Sequence, residues 1–253
     1  MITYDQVQAF DRDGFVLVEQ VFSQQEVAIL LEQISLSERV AQRSSTMADA
    51  QERASKLSLW TEIGEDAFSA VSASPRIVNS VRAIVREEIY HWHSKVMLKE
   101  PRVGGAWEWH QDYGYWYGDG CLYPRMVSCM VALDPATREN GCLKVIVGSH
   151  QLGRLDHGQV GGQAGIDPER VAEVEQRLPI HYVAMPVGSV LFFHCNTLHA
   201  SEANLSDHPR CAFICCYNAL SNKPYGGKGH GKPEAIPVAS DTAIMQLASA
   251  QNG

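Results

Sequence analysis

Two short segments of the sequence hold residues that could bind a metal ion. In the first, His110 and Asp112 stand two residues apart in the run 106–112, which we predict to be extended. Because side chains alternate between the two faces of a strand, both would point to the same side and could chelate one ion. A His-x-Asp pair is common by chance, so it predicts a metal site only together with a third ligand.

The second segment supplies that ligand. A predicted strand, Val190 to His194, leads through a polar turn to His199. His199 would complete a set of two imidazoles and one carboxylate on a face of iron(II), which leaves three coordination positions open for oxygen chemistry. We therefore predict an iron site formed by His110, Asp112 and His199.

Arg210 lies eleven residues after His199. That distance allows the chain to reverse through residues 204–209 and return beside the metal. An arginine there could hold a dicarboxylate by a bidentate pair, worth roughly 1.5–3 kcal/mol per hydrogen bond. Without the preceding ligands, the same residue would be interpreted as a surface arginine.

The elements that must position these residues change in character near residue 89. Before it the pattern is mostly helical, with Ser23 as an N-cap and Pro75 in the first turn of a helix. We interpret residues 1–88 as a largely helical flank. It comprises helices at 5–10, 23–34 and 74–88, a short strand at 14–19 and a weakly patterned polar stretch at 43–65.

From residue 89 to 218 short β-rich runs alternate with Gly, Pro and Asn, which is typical of a β-sandwich or barrel. A helix at 167–177 is inserted in a loop. We predict strands at 89–98, 106–112, 126–133, 142–147, 180–184, 189–194 and 210–217.

The last segment, 219–253, is rich in Gly, Lys and Pro and ends in a short predicted helix near 243–248. It could close over the site as a mobile lid through Tyr225, Gly226, Gly227 and His230, or it could be a surface tail. Selectivity for a substrate would lie in this segment and in the loops at 43–65, 113–125 and 151–170.

Composition limits the kind of protein. A chain of 253 residues fits a single domain, and 45% hydrophobic with 20% charged residues is typical of a globular protein. The formal charge of -8, with scattered basic residues, argues against a nucleic-acid partner. We expect a small-molecule substrate, no membrane partner, and a monomer or homodimer.

Cysteine usage and the first residues favour a cytoplasmic location. The seven cysteines are an odd number, mostly in apolar segments, and form no C-x-x-C pair. We interpret them as buried free thiols, which agrees with a reducing compartment. The first ten residues do not resemble a secretory signal, and no apolar run approaches the length of a membrane span.

Several ordered motifs together resemble the phytanoyl-CoA dioxygenase family, which includes ectoine hydroxylases. They extend over nearly the whole chain, and five in order are far more specific than any one. The matching residues are Asp13-Gly14-Phe15-Val16, Trp109-His110-Gln111-Asp112, Glu139-Asn140-Gly141-Cys142-Leu143, Gly148-Ser149-His150 and His199-Ala200-Ser201, followed by Arg210.

The resemblance implies a fold and a set of roles. The fold would be mainly β with flanking helices, around a double-stranded β-helix core of the jelly-roll, cupin-like kind. His110, Asp112 and His199 resemble the iron ligands. Arg210 and Ser201 resemble the residues that bind the distal carboxylate of 2-oxoglutarate.

Further positions are similar to cosubstrate contacts or pocket residues, each with a plainer alternative. Ser128 matches a cosubstrate contact, and Met97 falls near 2-oxoglutarate in the family but could be a core methionine. Lys95 would share the face of Met97 and could meet a carboxylate. Trp116, Tyr113, Tyr115 and Trp107 would shape the substrate pocket or simply pack in the core, and His91 and His93 are interpreted as core or pocket histidines.

The activity that the resemblance implies is that of a dioxygenase using Fe(II), 2-oxoglutarate and O2. It would hydroxylate an unactivated C–H bond of a small metabolite or natural-product intermediate and release succinate and CO2. Because Asp112 keeps the carboxylate ligand, halogenation is disfavoured. Desaturation, epimerisation and ring closure use the same ligands and stay open, as do a non-catalytic cupin-like binding or sensing protein and a cupin isomerase.

Overall fold

A computed structural model describes residues 1–226 and 229–251, with side chains up to 249. Its helices are α1 (Tyr4–Asp13), α2 (Gln24–Leu36), α3 (Glu38–Gln42), α4 (Ala67–Ser72), α5 (Pro75–Val85), α6 (Asp112–Gly118), α7 (Pro168–Glu175) and α8 (Ala243–Gln251). Its strands are β1 (Phe15–Val18), β2 (Ser44–Ala48), β3 (Ala54–Trp60), β4 (Ile89–Lys99), β5 (Trp107–His110), β6 (Met126–Ala132), β7 (Leu143–Ile146), β8 (His157–Val160), β9 (Gln163–Ile166), β10 (Ile180–Val183), β11 (Val190–His194), β12 (His199–Ser201) and β13 (Arg210–Ala219).

The strands form two main antiparallel sheets and a separate hairpin. The large sheet has the order β1-β11-β6-β13-β4-β3-β2, the small sheet the order β10-β7-β12-β5, and β8 pairs with β9. Every residue of β6 and β13 is buried, because the large sheet is covered on both faces. This is the predicted mainly β architecture with flanking helices, and it is consistent with a double-stranded β-helix.

The core lies in two layers on either side of the large sheet. On one face, Val127 and Phe213 pack with Leu30 and Val81 from the helices. On the other face, Met97, Met130 and Phe193 pack toward Val145 and other side chains of the small sheet. The alternation of side chains along each strand of the large sheet therefore decides which residues face the space between the sheets.

Local signals in the first third explain most of the helix ends. Ser23 caps α2 as predicted, and its hydroxyl accepts from the Glu26 amide in a capping box. Pro75 stands in the first turn of α5. Buried Glu26 also pairs with Arg76 at 2.6 Å, which ties α2 to α5.

The helix predicted at 167–177 is confirmed as α7.

The structure contains elements and boundaries that the sequence pattern did not predict. The stretch 43–65 is not a structureless loop: β2 and β3 form a hairpin that extends the large sheet beyond β4. The first 88 residues are therefore more than a helical flank, since β1, β2 and β3 all belong to this sheet. The strand predicted at 106–112 ends at His110, and α6 begins at Asp112.

The end of the chain packs against the helical layer. The Ala239 amide donates to the Ala73 carbonyl oxygen, and Arg76 Nε lies 2.8 Å from Asp241 Oδ1. Tyr225 is exposed, and Gly227 lies outside the described residues, so the predicted lid stays a prediction. All seven cysteines are buried and unpaired, as predicted. Within the described part of the chain, the helices are too short or too polar to cross a membrane.

Candidate metal centre and cosubstrate pocket

The three predicted metal ligands lie together between the sheets. His110 ends β5 and His199 begins β12, and the two are cross-strand partners in the small sheet. Asp112 is the first residue of α6. One potential ligand atom from each residue lies within 4.8 Å of the others, and all three side chains are buried. The segment 106–112 and His199 therefore meet as the sequence predicts.

Hydrogen bonds fix which atom of each side chain is free to bind a metal. The Nδ1 atoms of His110 and His199 lie 2.7 and 2.9 Å from the carbonyl oxygens of Glu108 and Thr197. Because a carbonyl oxygen only accepts hydrogen bonds, both Nδ1 atoms must carry the proton. Both Nε2 atoms are then unprotonated, and each can offer its lone pair to a cation. His199 Nε2 is 3.8 Å from Asp112 Oδ1.

Asp112 points to the histidines although the strand has already ended. Gln111 has extended dihedral angles, so the side chains on either side of it still face the same way. The side chain of Gln111 is buried away from the histidines, and its Nε2 donates to the carbonyl oxygens of Gly153 and Asn196 at 2.8 and 2.7 Å. The other oxygen of Asp112, Oδ2, accepts a hydrogen bond of 2.5 Å from the Ser128 hydroxyl.

The local electrostatics favour the protonation states that a metal requires. Burial is the main cause that lowers the pKa of His110 to about 3, and burial also lowers the pKa of His199. Burial opposes ionisation of Asp112, but Lys95 and then the two histidines offset it and lower the pKa of Asp112 to about 2. Two neutral imidazoles and one carboxylate therefore converge, and this donor set fits iron(II).

A pocket continues from the two histidines along the inner face of the large sheet. Predicted residues that line it are Lys95, Met97, Trp107, Ser201 and Arg210. The remaining lining residues are His110, Met130, Leu143, Phe193, His199, Ala200 and Ile214. The pocket is thus apolar along its walls, with cationic and hydroxyl groups at particular places.

Arg210 begins β13 and is fully buried at the end of the pocket away from the metal ligands. Its Nε and Nη2 atoms donate to the Gly141 carbonyl oxygen at 3.3 and 2.8 Å. Burial lowers the pKa of Arg210 to about 10, so the guanidinium remains charged at neutral pH. Among the described residues no carboxylate pairs with Arg210, and a buried cation in this situation is suited to an anionic ligand.

Lys99, which the sequence analysis did not single out, lies beside Arg210. It is the last residue of β4 and the cross-strand partner of Arg210. Its Nζ donates to the Ser201 hydroxyl at 2.8 Å and to the Glu202 carbonyl oxygen. Burial, and then the charge of Arg210, lowers the pKa of Lys99 to about 6. Lys99 shares a strand face with Lys95 and Met97. The sequence analysis missed it because the predicted strand ended at residue 98.

Two other predicted residues have neighbours that suggest different tasks. The Ser128 hydroxyl contacts Asp112 and the Cys216 sulfur, so it orients the predicted metal ligand Asp112, and its predicted contact with the cosubstrate stays a prediction. Tyr113 is buried, and its hydroxyl donates to the Cys121 carbonyl oxygen, which fastens α6 to the loop that follows.

The remaining aromatic candidates lie at different depths. Tyr115 is 39% exposed, its ring lies edge-on to that of His110, and its hydroxyl donates to the Ala164 carbonyl oxygen. Trp116 is buried and does not line the pocket described above. It packs edge-on against His93, with ring centroids 5.7 Å apart. Tyr115 thus sits at the rim, and Trp116 lies deeper.

The chain is similar to known oxygenases over most of its length. Residues 10–212 match the family model described as phytanoyl-CoA dioxygenase. An ectoine dioxygenase from Bordetella bronchiseptica is 30% identical over 87% of this chain and 77% of its own length. An L-proline trans-4-hydroxylase from Streptomyces griseoviridis is 26% identical over 85% of this chain and 86% of its own length.

Solved structures agree with this relationship. The apo form of EctD from S. alaskensis has a TM-score of 0.79 and 29% identity, covering 94% of this chain and 87% of that one. The same protein with 2-oxoglutarate and 5-hydroxyectoine has a TM-score of 0.76 and 27% identity over the same shares. Together with the His-Asp-His donor set, these findings identify the chain as a member of the phytanoyl-CoA dioxygenase family, a non-haem dioxygenase that uses iron(II), 2-oxoglutarate and O2.

Proposed function

We propose that this enzyme hydroxylates an unactivated C–H bond of a small metabolite, with iron(II) held by His110, Asp112 and His199. The observation that carries the proposal is the convergence of three buried donor atoms within 4.8 Å, with each histidine fixed through its other ring nitrogen. Bound iron supplies the activation of O2 that couples oxidation of 2-oxoglutarate, to succinate and CO2, with insertion of one oxygen atom into the substrate.

The chain's own residues bind and orient the cosubstrate. Arg210, Lys99 and Ser201 form a cluster of buried donors that suits the distal carboxylate of 2-oxoglutarate. The apolar walls of the pocket, among them Met97 and Ile214, would contact the methylene carbons and exclude water. Lys95 lies on the same face, nearer the metal, where it raises the positive potential around Asp112.

Hydroxylation is favoured over the other outcomes that share this ligand set. Asp112 keeps the carboxylate that chloride would have to replace in a halogenase. The two relatives named above, at 30% and 26% identity, are a dioxygenase and a hydroxylase, which favours hydroxylation over desaturation, epimerisation and ring closure. A purely binding protein would not need Arg210 and the complete donor set together.

The substrate class that these relatives suggest is a small polar compound such as ectoine or L-proline. The absence of paired cysteines among the seven, all buried, supports a reducing compartment, and we extend the proposal to the cytoplasm.

An anaerobic titration with Fe(II) and 2-oxoglutarate tests the proposal. The enzyme should develop a weak visible charge-transfer band, and addition of O2 with a substrate should release succinate. The matched control is Arg154→Ala, which removes an arginine that is about one-third exposed and pairs with Asp156 outside the pocket. It should keep the band, whereas Arg210→Ala should lose it at the same 2-oxoglutarate concentration. A wild-type protein that binds Fe(II) but is indifferent to 2-oxoglutarate would overturn the proposal in favour of a cupin isomerase.

A further inference from the structure

β5 is an outer strand of the small sheet, and it leads directly to two of the metal ligands. It carries His110, and Asp112 follows two residues later. Among the described residues β5 pairs only with β12, so the backbone groups along its other side have no strand to bind. An edge of this kind leaves N–H and C=O groups unpaired unless another part of the chain covers it. The positions of His110 and Asp112 therefore depend on what binds the outer side of β5.

The β8–β9 hairpin covers this outer side without joining the small sheet. Its turn is Gly161-Gly162, with φ of 56° and 82°, and a type I′ turn requires positive φ at both of these positions. Gln163 follows the turn directly as the first residue of β9. A Cβ atom on Gly165 would lie 3.2 Å from the Trp109 carbonyl oxygen, so β9 runs close to β5. The hairpin binds the segment through side chains instead of a backbone ladder.

Gln163 takes the place of one residue of a neighbouring strand. Its side chain is buried, its Oε1 accepts from the backbone N–H of Glu108 at 3.2 Å, and its Nε2 donates to the Ala106 carbonyl oxygen at 3.0 Å. A strand beside β5 would bind the same C=O and N–H groups. The Nε2 atom also donates to the Ala48 carbonyl oxygen at 2.9 Å, at the end of β2. Because the Glu108 carbonyl oxygen accepts from His110 Nδ1, Gln163 holds the residue that orients the His110 ring.

His157 holds the backbone farther along the segment, between the two ligands. Its Nε2 accepts from the backbone N–H of Gln111 at 3.2 Å. The ring lies directly on α6, because a Cβ atom on Gly114 would be 2.2, 2.3 and 2.6 Å from Cε1, Nε2 and Nδ1 of the imidazole. Only glycine leaves room for the ring at this position. The Tyr115 ring packs edge-on against His157 with centroids 5.0 Å apart, and its hydroxyl donates to the Ala164 carbonyl oxygen of β9.

Gln111 connects the hairpin to both ligands of the segment. It is the extended residue between His110 and Asp112, so its backbone sets the direction of both side chains. His157 holds that backbone at its N–H. The side chain of Gln111 is tied to the same region, since its Oε1 accepts from the backbone N–H of Leu155 at 2.7 Å.

We propose that Gln163 and His157 are positioning residues of the metal centre. By binding the outer side of residues 106–112, they hold His110 and Asp112 in the ligating arrangement before iron(II) binds. The inference rests on the proposed function, whose metal ligands it concerns. Ligands held in this way lose little conformational freedom when the ion binds, so releasing them lowers the affinity for the metal.

The first test removes the hydrogen bonds of Gln163. Gln163→Met keeps the length of the side chain without its polar atoms, and Gln159→Met is the matched control, an exposed glutamine on the other strand of the hairpin. The measurements are the Fe(II) dissociation constant from the anaerobic band at saturating 2-oxoglutarate, and backbone hydrogen exchange in the metal-free protein. Gln163→Met should weaken Fe(II) binding about tenfold and speed exchange in residues 106–112, with β6 and β13 unchanged. Gln159→Met should match wild type in both.

The second test displaces the ring of His157 without removing it. Gly114→Ala places a methyl group in the ring, whereas the Cβ of Gly118→Ala, in the same helix, has no described atom within 4 Å. Both changes raise helix propensity alike, so weaker Fe(II) binding in Gly114→Ala alone has to come from the displaced imidazole. We expect a loss of about tenfold, and a similar loss in His157→Leu. His157→Gln keeps an acceptor and should stay within about threefold of wild type.

The remaining outcomes separate this inference from the proposed function. An Fe(II) affinity that is unchanged in Gln163→Met and His157→Leu overturns the positioning role and leaves the proposed function intact. Exchange that speeds up equally in β6 and β13 means that the two residues only stabilise the fold, which also overturns it. A wild-type protein that forms no band with Fe(II) and 2-oxoglutarate is a failure of the proposed function itself.

Discussion

Two ends of the space between the sheets differ in whether their polar side chains already have partners. At the end beside Arg210, the guanidinium donates to Gly141, and the Nζ of Lys99 donates to Ser201 and Glu202. At the other end, His93 and Trp92 have buried nitrogens with no partner among the described residues. The predicted metal ligand Asp112 contacts Ser128, which stands in the same row of the large sheet as His93.

The difference lies in how many hydrogen bonds the polar side chains of each end form before a ligand binds. A cosubstrate of fixed structure can be met by donors that the backbone and neighbouring hydroxyls hold in place before it arrives, which reduces the entropy lost on binding. A subsite that reads one particular substrate keeps its polar atoms free, and it discriminates because a wrong ligand leaves them unpaired.

The largest effect should come from the centre that both ends share. His199→Ala removes one of three ligands, and succinate release should fall by more than the roughly 100-fold that loss of an outer partner of a metal ligand can cost. Atomic absorption after dialysis should show reduced iron. A variant that keeps both iron and turnover would show that His199 is not a ligand.

The next effect separates the two ends. Arg210→Ala removes the charge-assisted donors of the cosubstrate end, and loss of about 3 kcal/mol should weaken 2-oxoglutarate binding about 100-fold. The measurement is the anaerobic band titrated with 2-oxoglutarate. Arg210→Lys should recover part of the loss, because lysine keeps the positive charge but cannot bind the carboxylate in the bidentate way of a guanidinium. If His93→Leu weakens 2-oxoglutarate as much as Arg210→Ala does, the two ends are not separate.

A smaller effect should follow from loosening Asp112. Ser128→Ala removes the hydroxyl that donates to Asp112 Oδ2, and the affinity for Fe(II) should fall about tenfold. At saturating iron, the 2-oxoglutarate constant should be that of wild type, because Ser128 acts through the metal ligand. The opposite result, normal iron affinity with weak 2-oxoglutarate binding, would restore the cosubstrate contact predicted from the sequence.

The sequence could predict the residues whose positions depend on local spacing. His110 and Asp112 share a face because Gln111 is extended, whether or not the strand continues. The central strands at 126–133 and 210–217 follow from apolar runs that are buried on both sides, as β6 and β13 are. In each case one short stretch of chain carries the whole signal.

What the sequence could not predict depends on contacts between distant segments. In the hairpin of β2 and β3, Ser55 and Ser58 are buried. Their hydroxyls donate to the carbonyl oxygens of Gly105 and Val40, which lie in distant segments. The bulge in β4 exists only in the pairing with β13, so simple alternation would place His91 and His93 on one face. Lys99 fell one residue beyond a predicted strand end, and such boundaries are the least certain part of any sequence pattern.

The last predicted effect, which grows with pH instead of appearing at once, concerns the protonation of Lys99. Because its pKa is lowered to about 6, much of this residue is neutral above that pH in the free protein. A bound carboxylate favours the charged form, so binding of 2-oxoglutarate should take up a proton. Affinity should consequently weaken as the pH rises above 6, by up to about tenfold per unit. The charged or titratable neighbours that act on Lys99 are Arg210, Asp49, Cys142 and Glu202.

Lys99→Met is the variant that isolates this effect. Its 2-oxoglutarate affinity should be lower at pH 6 and nearly independent of pH between 6 and 8, since Arg210 stays charged over that interval. Calorimetry in two buffers of different ionisation enthalpy should detect proton uptake in wild type and lose it in the variant. If the 2-oxoglutarate affinity changes with pH equally in both proteins, Lys99 is not the group that titrates. Arg210 would then be the residue whose charge binds the dicarboxylate.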